Sequence, residues 1–321
     1  MPSIYITGKI AQSGITLLES RGFEINVNTS EVDLNSAQLK EIFSKYDAVV
    51  TMINNKIDKE ILSSASKNLK IIANYAVGYD NIDISAASQK NIVVCNTPGV
   101  ASESVAEYTF ALITSLNKHL FAADQFVRTG KFTKFDPDLF LSKQLWGQTI
   151  GIIGLGRIGT FVGQIAYGGF RMKVLYFDVK PAEDFELLCE AKFSDVETIL
   201  KESDVVTLHV PLTGKTKHLI SKNEFKMMRK SAILVNTCRG PVVDEEALVW
   251  ALSENEIAGC GLDVFEHEPQ ISKELMTKEN VILTPHTASA TYETREKMSA
   301  ITAQNIIDVF GGKEPFGLVI E

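Results

Sequence analysis

Residues Thr149–Asp178 read TIGIIGLGRIGTFVGQIAYGGFRMKVLYFD. The apolar run containing Ile150, Ile152 and Ile153 predicts a buried strand, and it ends in Gly154-Leu155-Gly156-Arg157-Ile158-Gly159. Apolar residues at helical spacing follow, then a second strand over residues 173–177 and a carboxylate at Asp178. In a strand, turn, helix and strand of this kind each glycine has a task. Gly154 permits the tight turn, Gly156 lets the backbone approach a pyrophosphate, and Gly159 lets the helix pack against the strand. The N–H groups at the helix start, backed by the macrodipole, favour phosphate charge. A glycine triplet by itself is weak, because flexible loops produce it by chance. Here every flanking element is present, and the stretch reads as a dinucleotide-binding unit.

Asp178 bears on which dinucleotide. It stands where a carboxylate accepts both ribose hydroxyls of the adenosine half. A 2′-phosphate about 4 Å away would meet repulsion of about 4 kcal/mol at an effective dielectric near 20, lowered by solvent and by Lys180. The sequence therefore predicts NAD(H) over NADP(H).

Outward from this stretch, the 321 residues have room for two domains, each with its own core. A net charge of −8 and the lack of a clustered basic stripe argue against nucleic-acid binding. Apolar runs are short, so no membrane span is expected, and the opening MPSIYITG reads as a strand rather than a signal peptide. Cys95, Cys189, Cys238 and Cys260 have neither metal-ligand nor redox-pair spacing. Reduced thiols in a cytoplasmic protein without a metal are the economical reading.

Residues 1–100 alternate strand and helix. Strands are expected over residues 4–6, 23–27, 48–53, 69–75 and 92–95, and a helix capped by Asn35 or Ser36 carries Leu39, Ile42, Phe43 and Tyr46. This pattern predicts a mostly parallel sheet covered on both faces. One long helix is expected from Ser102 to Arg128. An irregular, apolar arm follows over about residues 129–146, with Phe132, Phe135, Leu139, Phe140 and Leu141. It reads as a segment that packs on another subunit. From Thr149 onward six strands are expected, over residues 149–154, 173–178, 204–210, 232–237, 259–264 and 281–284, as two halves of three. A final helix over about residues 292–310 could return to the first domain. The expected fold class is α/β, with two doubly wound parallel-sheet domains and a cleft between: a discontinuous, flavodoxin-like substrate domain (residues 1–100 and 290–321) and a Rossmann dinucleotide domain (residues 101–289).

Ligands of doubly wound sheets bind beyond the carboxyl ends of the strands. There the sequence places Asn236-Thr237-Cys238-Arg239-Gly240, then Asp263 to Pro269 with Glu268, then Thr284-Pro285-His286. In the first domain Ala76-Val77-Gly78-Tyr79-Asp80 forms another glycine turn. Hydride transfer to a ketone leaves an oxyanion that needs a proton, and His is the usual donor near neutral pH. A neighbouring Glu favours the imidazolium and holds its tautomer. An Arg fork suits a substrate carboxylate, and the N–H groups of Val77 and Gly78 suit its other oxygen. Together these point to a 2-oxoacid. The other histidines read differently: His119 as a packed or solvated helix residue, His209 as lining the cofactor site without acid–base work, and His218 and His267 as surface residues.

With VGYDNID at residues 77–83, NTPGV at 96–100, GLGRIG at 154–159, HVPLT at 209–213, NTCRG at 236–240, GLDVFEHEP at 261–269 and TPHTAS at 284–289, the whole chain resembles the D-isomer-specific 2-hydroxyacid dehydrogenases. The resemblance implies that Arg239 binds the oxoacid, Glu268 pairs with the imidazole, and His286 is the acid/base. It implies NAD(H) along Gly154, Leu155, Gly156, Arg157, Ile158, Gly159, Asp178, Val210, Pro211, Thr216, Thr237, Cys238 and Asp263, with Asp263 at the nicotinamide carboxamide. Val77 and Gly78 would take the substrate carboxylate, and Phe135 would reach a partner's active site. A homodimer and closure by hinges near residues 96–102 and 288–291 are implied as well. NTPGV with VGYDNID is similar to the glyoxylate and hydroxypyruvate reductase branch. The phosphoglycerate branch usually has an Arg where this chain has Asn74, and the D-lactate branch an Arg where it has Tyr75. Rival readings are a dehydrogenase of branched or aromatic oxoacids, a phosphite dehydrogenase, and an NAD-sensing co-repressor.

Overall fold

In a computed structural model, which describes residues 1–320, the chain divides into two units, Met1–Ala101 with Ala290–Glu321, and Ser102–Ser289. In the first, β1 (Ser3–Ile6), α1 (Gln12–Ser20), β2 (Glu24–Val27), α2 (Ser36–Lys45), β3 (Ala48–Thr51), α3 (Lys59–Ser63), β4 (Ile71–Asn74), α4 (Ile84–Ser88) and β5 (Val93–Cys95) follow in order. The sheet is parallel throughout, in the order β2-β1-β3-β4-β5. Both β3 and β4 are buried along their whole length, as helices on both faces of a parallel sheet require. Asn35 caps α2 in a reciprocal box with Gln38.

The second unit opens with α5 (Ser102–Asn117) and α6 (Leu120–Arg128), so the single helix expected from Ser102 to Arg128 is in fact two. His119 lies in the left-handed region at φ 51° and ends the first helix without glycine or proline. The bend is tied to the arm: Asn117 Nδ2 and Lys118 Nζ both donate to the Lys143 carbonyl, at 2.7 and 3.0 Å. Next come β6 (Thr149–Ile153), α7 (Gly156–Phe170), β7 (Lys173–Phe177), α8 (Glu183–Cys189), β8 (Lys192–Phe193), α9 (Val196–Glu202) and β9 (Val205–Leu208). After these are α10 (Lys222–Met227), β10 (Ile233–Asn236), α11 (Glu245–Ser253), β11 (Gly259–Leu262), α12 (Lys273–Met276) and β12 (Val281–Leu283). The sheet has seven strands rather than six, in the order β12-β11-β10-β9-β6-β7-β8. The extra strand, β8, has only two residues and shows no periodicity of its own. It completes the first mononucleotide half, so the strand read as third from sequence is the fourth.

Two cores sandwich this sheet, one containing Phe225, Leu234, Leu248 and Leu262, the other Ile113, Ile152, Val162 and Tyr176. Full burial of one such side chain stabilises by roughly 1.5–3 kcal/mol, so the sheet is a stiff base for the loops at its edge. The last helix, α13 (Tyr292–Phe310), belongs to the first unit, where it packs closely on α1: a Cβ on Gly14 would strike Ser299. Among the described residues no helix is long and apolar enough to cross a membrane.

Candidate active site

In the second unit the parallel sheet brings the carboxyl ends of all its strands to one edge. The glycine loop follows β6 there and Asp178 follows β7. His209 and Val210 follow β9, Arg239 follows β10, Glu268 follows β11 and His286 follows β12.

Gly154 and Gly156 have φ of 92° and 36°. A Cβ on Gly154 would sit 2.8 Å from the His209 carbonyl and from Val210 Cγ1, whereas one on Gly156 would meet nothing within 4 Å. The open side at Gly156 is the approach a pyrophosphate needs. A Cβ on Gly159 would collide with the Gly154 carbonyl oxygen, so the close helix-to-loop packing is present. The side chain of Leu155 itself does not cap α7, so the N–H groups of Arg157 and Ile158 in its first turn remain for an anion. Asp178 does more than its position in sequence implied. Its Oδ2 accepts from the N–H groups of Leu155 and Gly156, at 2.9 and 3.1 Å, and its Oδ1 accepts from Val179, at 2.6 Å. The carboxylate thus clips the glycine loop to the end of β7. The open Gly156 face, the first turn of α7 and the adjacent carboxylate fit a nicotinamide dinucleotide. Arg157 and Ile158 lie in the first turn of that helix.

Val210 and Pro211 adjoin the loop. The Thr216 hydroxyl donates to the Pro211 carbonyl, at 2.6 Å, and accepts from Thr213 N–H, at 2.8 Å, so it closes the turn after β9. Thr237 is buried and its hydroxyl meets that of Thr109 on α5, at 3.0 Å. His209 is held neutral: burial pushes its pKa down to about 3. Its Nε2 meets Thr207 Oγ1 at 2.9 Å, and its buried Nδ1 has no partner among the described residues. The Cys238 thiol, pushed up to about 11 by burial, stays protonated and donates to Asn236 Oδ1.

Asn236 is the residue here that sequence reasoning passed over, although it opens the NTCRG motif. Its Oδ1 also takes the Cys238 N–H and its Nδ2 donates to the Arg239 carbonyl, at 2.9 Å. It fixes the backbone on both sides of the turn that presents Arg239, whose Nη1 donates to the Cys238 carbonyl, at 2.7 Å.

His286 and Glu268 form a hydrogen-bonded pair. Nδ1 of His286 lies 2.9 Å from Glu268 Oε2, and Glu268 Oε1 accepts from the Phe265 N–H, at 2.9 Å. With Nδ1 occupied, Nε2 is the nitrogen left to exchange a proton. Burial acts to raise the Glu268 pKa, but the hydrogen bond and charge of His286, the Phe265 N–H and Arg239 outweigh it and hold the carboxyl below its ordinary value. His286 has φ 54°, an uncommon conformation for a residue with a Cβ. Asp263 supports it. This fully buried carboxylate takes the N–H groups of Thr287 and Ala288, at 2.9 and 2.8 Å, and the Thr284 hydroxyl, at 2.7 Å. The Asp263 carbonyl accepts from His286 N–H, at 2.9 Å. Its side chain therefore holds the loop that carries His286.

His218 is exposed, as its sequence reading expects, and it is also paired, with Nε2 2.6 Å from Glu266 Oε1. His267 is exposed.

In the first unit the glycine turn after β4 is held by Asn74, whose Nδ2 donates to the Gly78 carbonyl and Asn81 Oδ1, at 2.9 and 3.1 Å. Asn96 Nδ2 donates to the Val77 carbonyl, at 2.6 Å. The carbonyls are thereby committed, and the N–H groups of Val77 and Gly78 donate to nothing among the described residues.

A dinucleotide-binding sheet with a His–Glu pair and an arginine at one edge defines an oxidoreductase that works with a nicotinamide cofactor. Residues 110–288 match the family described as D-isomer specific 2-hydroxyacid dehydrogenase, NAD binding domain, and the chain belongs to that family. It is 45% identical to a glyoxylate reductase of Pyrococcus horikoshii, over 99% of this chain and 96% of that one. A glyoxylate reductase of Korarchaeum cryptofilum is 42% identical, over 99% and 96%. Among solved structures, an NADPH-dependent glyoxylate/hydroxypyruvate reductase of Sinorhizobium meliloti, in complex with NADP and malonate, is 31% identical. It superposes with a TM-score of 0.87, covering 99% of this chain and 96% of that one. The TT0316 protein of Thermus thermophilus gives 0.92 at 35% identity, covering 99% and 100%.

Proposed function

We propose that the chain reduces small 2-oxoacids, glyoxylate or hydroxypyruvate, with NADH, giving glycolate or D-glycerate. The observation that supports this most is the His286–Glu268 pair on the same sheet edge as the glycine loop and Arg239. When bound, the dinucleotide supplies a hydride to the carbonyl carbon. Gly154 to Gly159 and Asp178 hold its adenosine half, and Val210, Pro211, Thr216, Thr237, Cys238 and Asp263 lie along the remainder. Arg239, with the free N–H groups of Val77 and Gly78, takes the substrate carboxylate, and the guanidinium polarises the adjoining carbonyl. His286 gives the proton on Nε2 to the carbonyl oxygen, while Glu268 stabilises the imidazolium and keeps Nδ1 occupied. Absorbance of NADH with glyoxylate, hydroxypyruvate, pyruvate, a branched oxoacid and phenylpyruvate tests the reading. Fast turnover of the two small acids supports it. Preference for the bulky acids keeps the mechanism and moves the substrate. NADH binding without turnover of any acid refutes it.

The preference for NADH rests on Asp178. The Sinorhizobium relative is described as NADPH-dependent; here a 2′-phosphate would face a carboxylate. Asp178→Ser is expected to shift the NADPH-to-NADH ratio of kcat/KM by about 10–100-fold toward NADPH, a half-exposed charge being partly screened. NADH turnover should also fall, because the clip on Leu155 and Gly156 is lost. An unchanged ratio would remove Asp178 from cofactor selection.

A homodimer built through the arm belongs to the same reading. Phe135, Phe132 and Leu141 are 83%, 58% and 68% exposed, more apolar surface than a lone chain gains from showing to water. Leu141 also lines, with Phe121, Asn280 and Val281, a cavity of about 420 Å³ at the amino edge of the sheet. Replacing Phe132, Phe135 and Leu141 together by Ser is expected to turn a dimer into a monomer by light scattering. Phe135→Ala should raise KM if that ring reaches the partner's active site, and unchanged KM and substrate preference would exclude that role.

A further inference from the structure

Two residues before Glu268, the segment after β11 is clamped by a second His–Glu pair. Glu266 is half-buried and makes three contacts. Its Oε1 meets His218 Nε2 at 2.6 Å, its Oε2 accepts from the Glu245 N–H at the start of α11, at 3.1 Å, and its own N–H donates to Glu245 Oε2, at 3.2 Å. Glu245 Oε1 accepts from Ser272 N–H, at 3.1 Å, so both ends of residues 266–272 are tied to that helix start. Two carboxylates are thereby drawn to one place, with Asp244 beside them, bonded to Ser221. Helix-start N–H groups answer part of this charge. Among the side chains in these contacts, His218 alone can supply a positive charge. The backbone of His218 is fixed too, at φ 51° and with its N–H on the Pro241 carbonyl, at 2.8 Å. Pro241 follows the turn after Arg239. His218 therefore joins the segment that carries Glu268 to the turn that carries Arg239.

We propose that His218 is a positioning residue for the reductive step, which holds Glu266 and through it sets where Glu268 meets His286. This rests on the reading of His286 and Glu268 given above. His218 touches neither of them in the structure, and its effect must pass through residues 266–268. Deleting the imidazole removes the side-chain bond to Glu266 Oε1, leaving the segment held only by its bonds to Glu245, and lets Glu266 and the residues after it shift. Glu268 then supports the imidazolium less well, while the glycine loop and Arg239's own backbone bond to Asn236 are left in place.

The test is a double-mutant cycle between His218→Ala and Glu268→Gln, read as kcat for glyoxylate, KM and the NADH Kd. His218→Ala is expected to lower kcat about 5–20-fold and to change KM and Kd less than twofold. In the Glu268→Gln background it should lower kcat less than twofold, because the route through Glu268 is already cut. His218→Gln, which keeps a donor at similar reach, should recover much of the loss and guards against simple misfolding of the alanine variant. Full multiplication of the two losses, unchanged kcat in both His218 variants, or a loss borne by Kd would overturn the proposal. Absence of turnover in the unaltered enzyme would instead overturn the functional reading on which it stands.

Discussion

Replacing His286 by Ala is expected to lower kcat for glyoxylate reduction by about 10²–10⁴-fold, the usual span for a positioned acid. NADH Kd should change little, because the glycine loop and Asp178 lie on other loops of the sheet edge. The cause is local. His286 has its Nδ1 on Glu268 and its backbone N–H on Asp263, so Nε2 is both free and fixed in direction. Without it the alkoxide formed in reduction must find its proton from water. Glu268→Gln should cost less, since the amide oxygen can still accept from Nδ1, while the charge and the bond from the Phe265 N–H are lost. Rapid-quench or burst measurements decide whether the slow step is chemistry. A kcat within threefold of the parent in His286→Ala would dismiss the residue as the acid.

The same pair sets a pH expectation. Burial acts to raise the Glu268 pKa, yet the net shift is downward, owing first to its bond with His286. A carboxyl with a depressed folded pKa contributes its full stabilisation above the unfolded value and loses it as pH falls through the folded one. The acid limb of kcat assigned to Glu268 should therefore fall below about pH 4.5, the ordinary carboxyl value. His209 adds a penalty to folding in acid. Its folded pKa is pushed down to about 3, so below the ordinary histidine value the unfolded chain takes up the proton that the folded chain refuses, and stability declines. Thermal unfolding followed between pH 7 and 4 would show this decline ahead of the loss of the Glu268 charge.

How much of this could be read from the sequence depends on the length of the signal. Residues 149–178 reveal their fold because a glycine loop, a helix period and two strands agree within thirty positions. By contrast β8 is two residues long, too short for any alternation to register. The break at His119 was hidden because neither glycine nor proline marks it. It coincides with bonds from Asn117 and Lys118 to the Lys143 carbonyl of the arm, and such distant partners leave no local trace. His286, Glu268 and Arg239 are legible as candidates from residue type and placement after strand ends, which is where parallel sheets carry ligands. Their supports are not. Asn236 and His218 act through hydrogen bonds whose partners only folding brings near, and Asp178 turned out to clip the loop beside which it lies.

Arg239→Ala is expected to lower kcat/KM for every 2-oxoacid by about 10²–10⁴-fold, the cost of two charge-assisted bonds to a carboxylate. The loss should appear in both KM and kcat, because a guanidinium that grips the carboxylate also draws charge from the neighbouring carbonyl as it becomes an alkoxide. The backbone should remain in place: Asn236 bonds the Arg239 carbonyl and the Cys238 N–H without using the guanidinium, and a Cβ at Gly240 would collide with Phe265, so the turn is already determined by packing. Melting temperature should accordingly stay within a few degrees of the parent. Arg239→Lys is the decisive companion. An ammonium keeps the charge but not the planar fork, so it should recover binding more than rate. Equal recovery of KM and kcat by Lys would mean that charge alone matters, and unaltered kcat/KM in Arg239→Ala would take the oxoacid carboxylate away from this residue altogether.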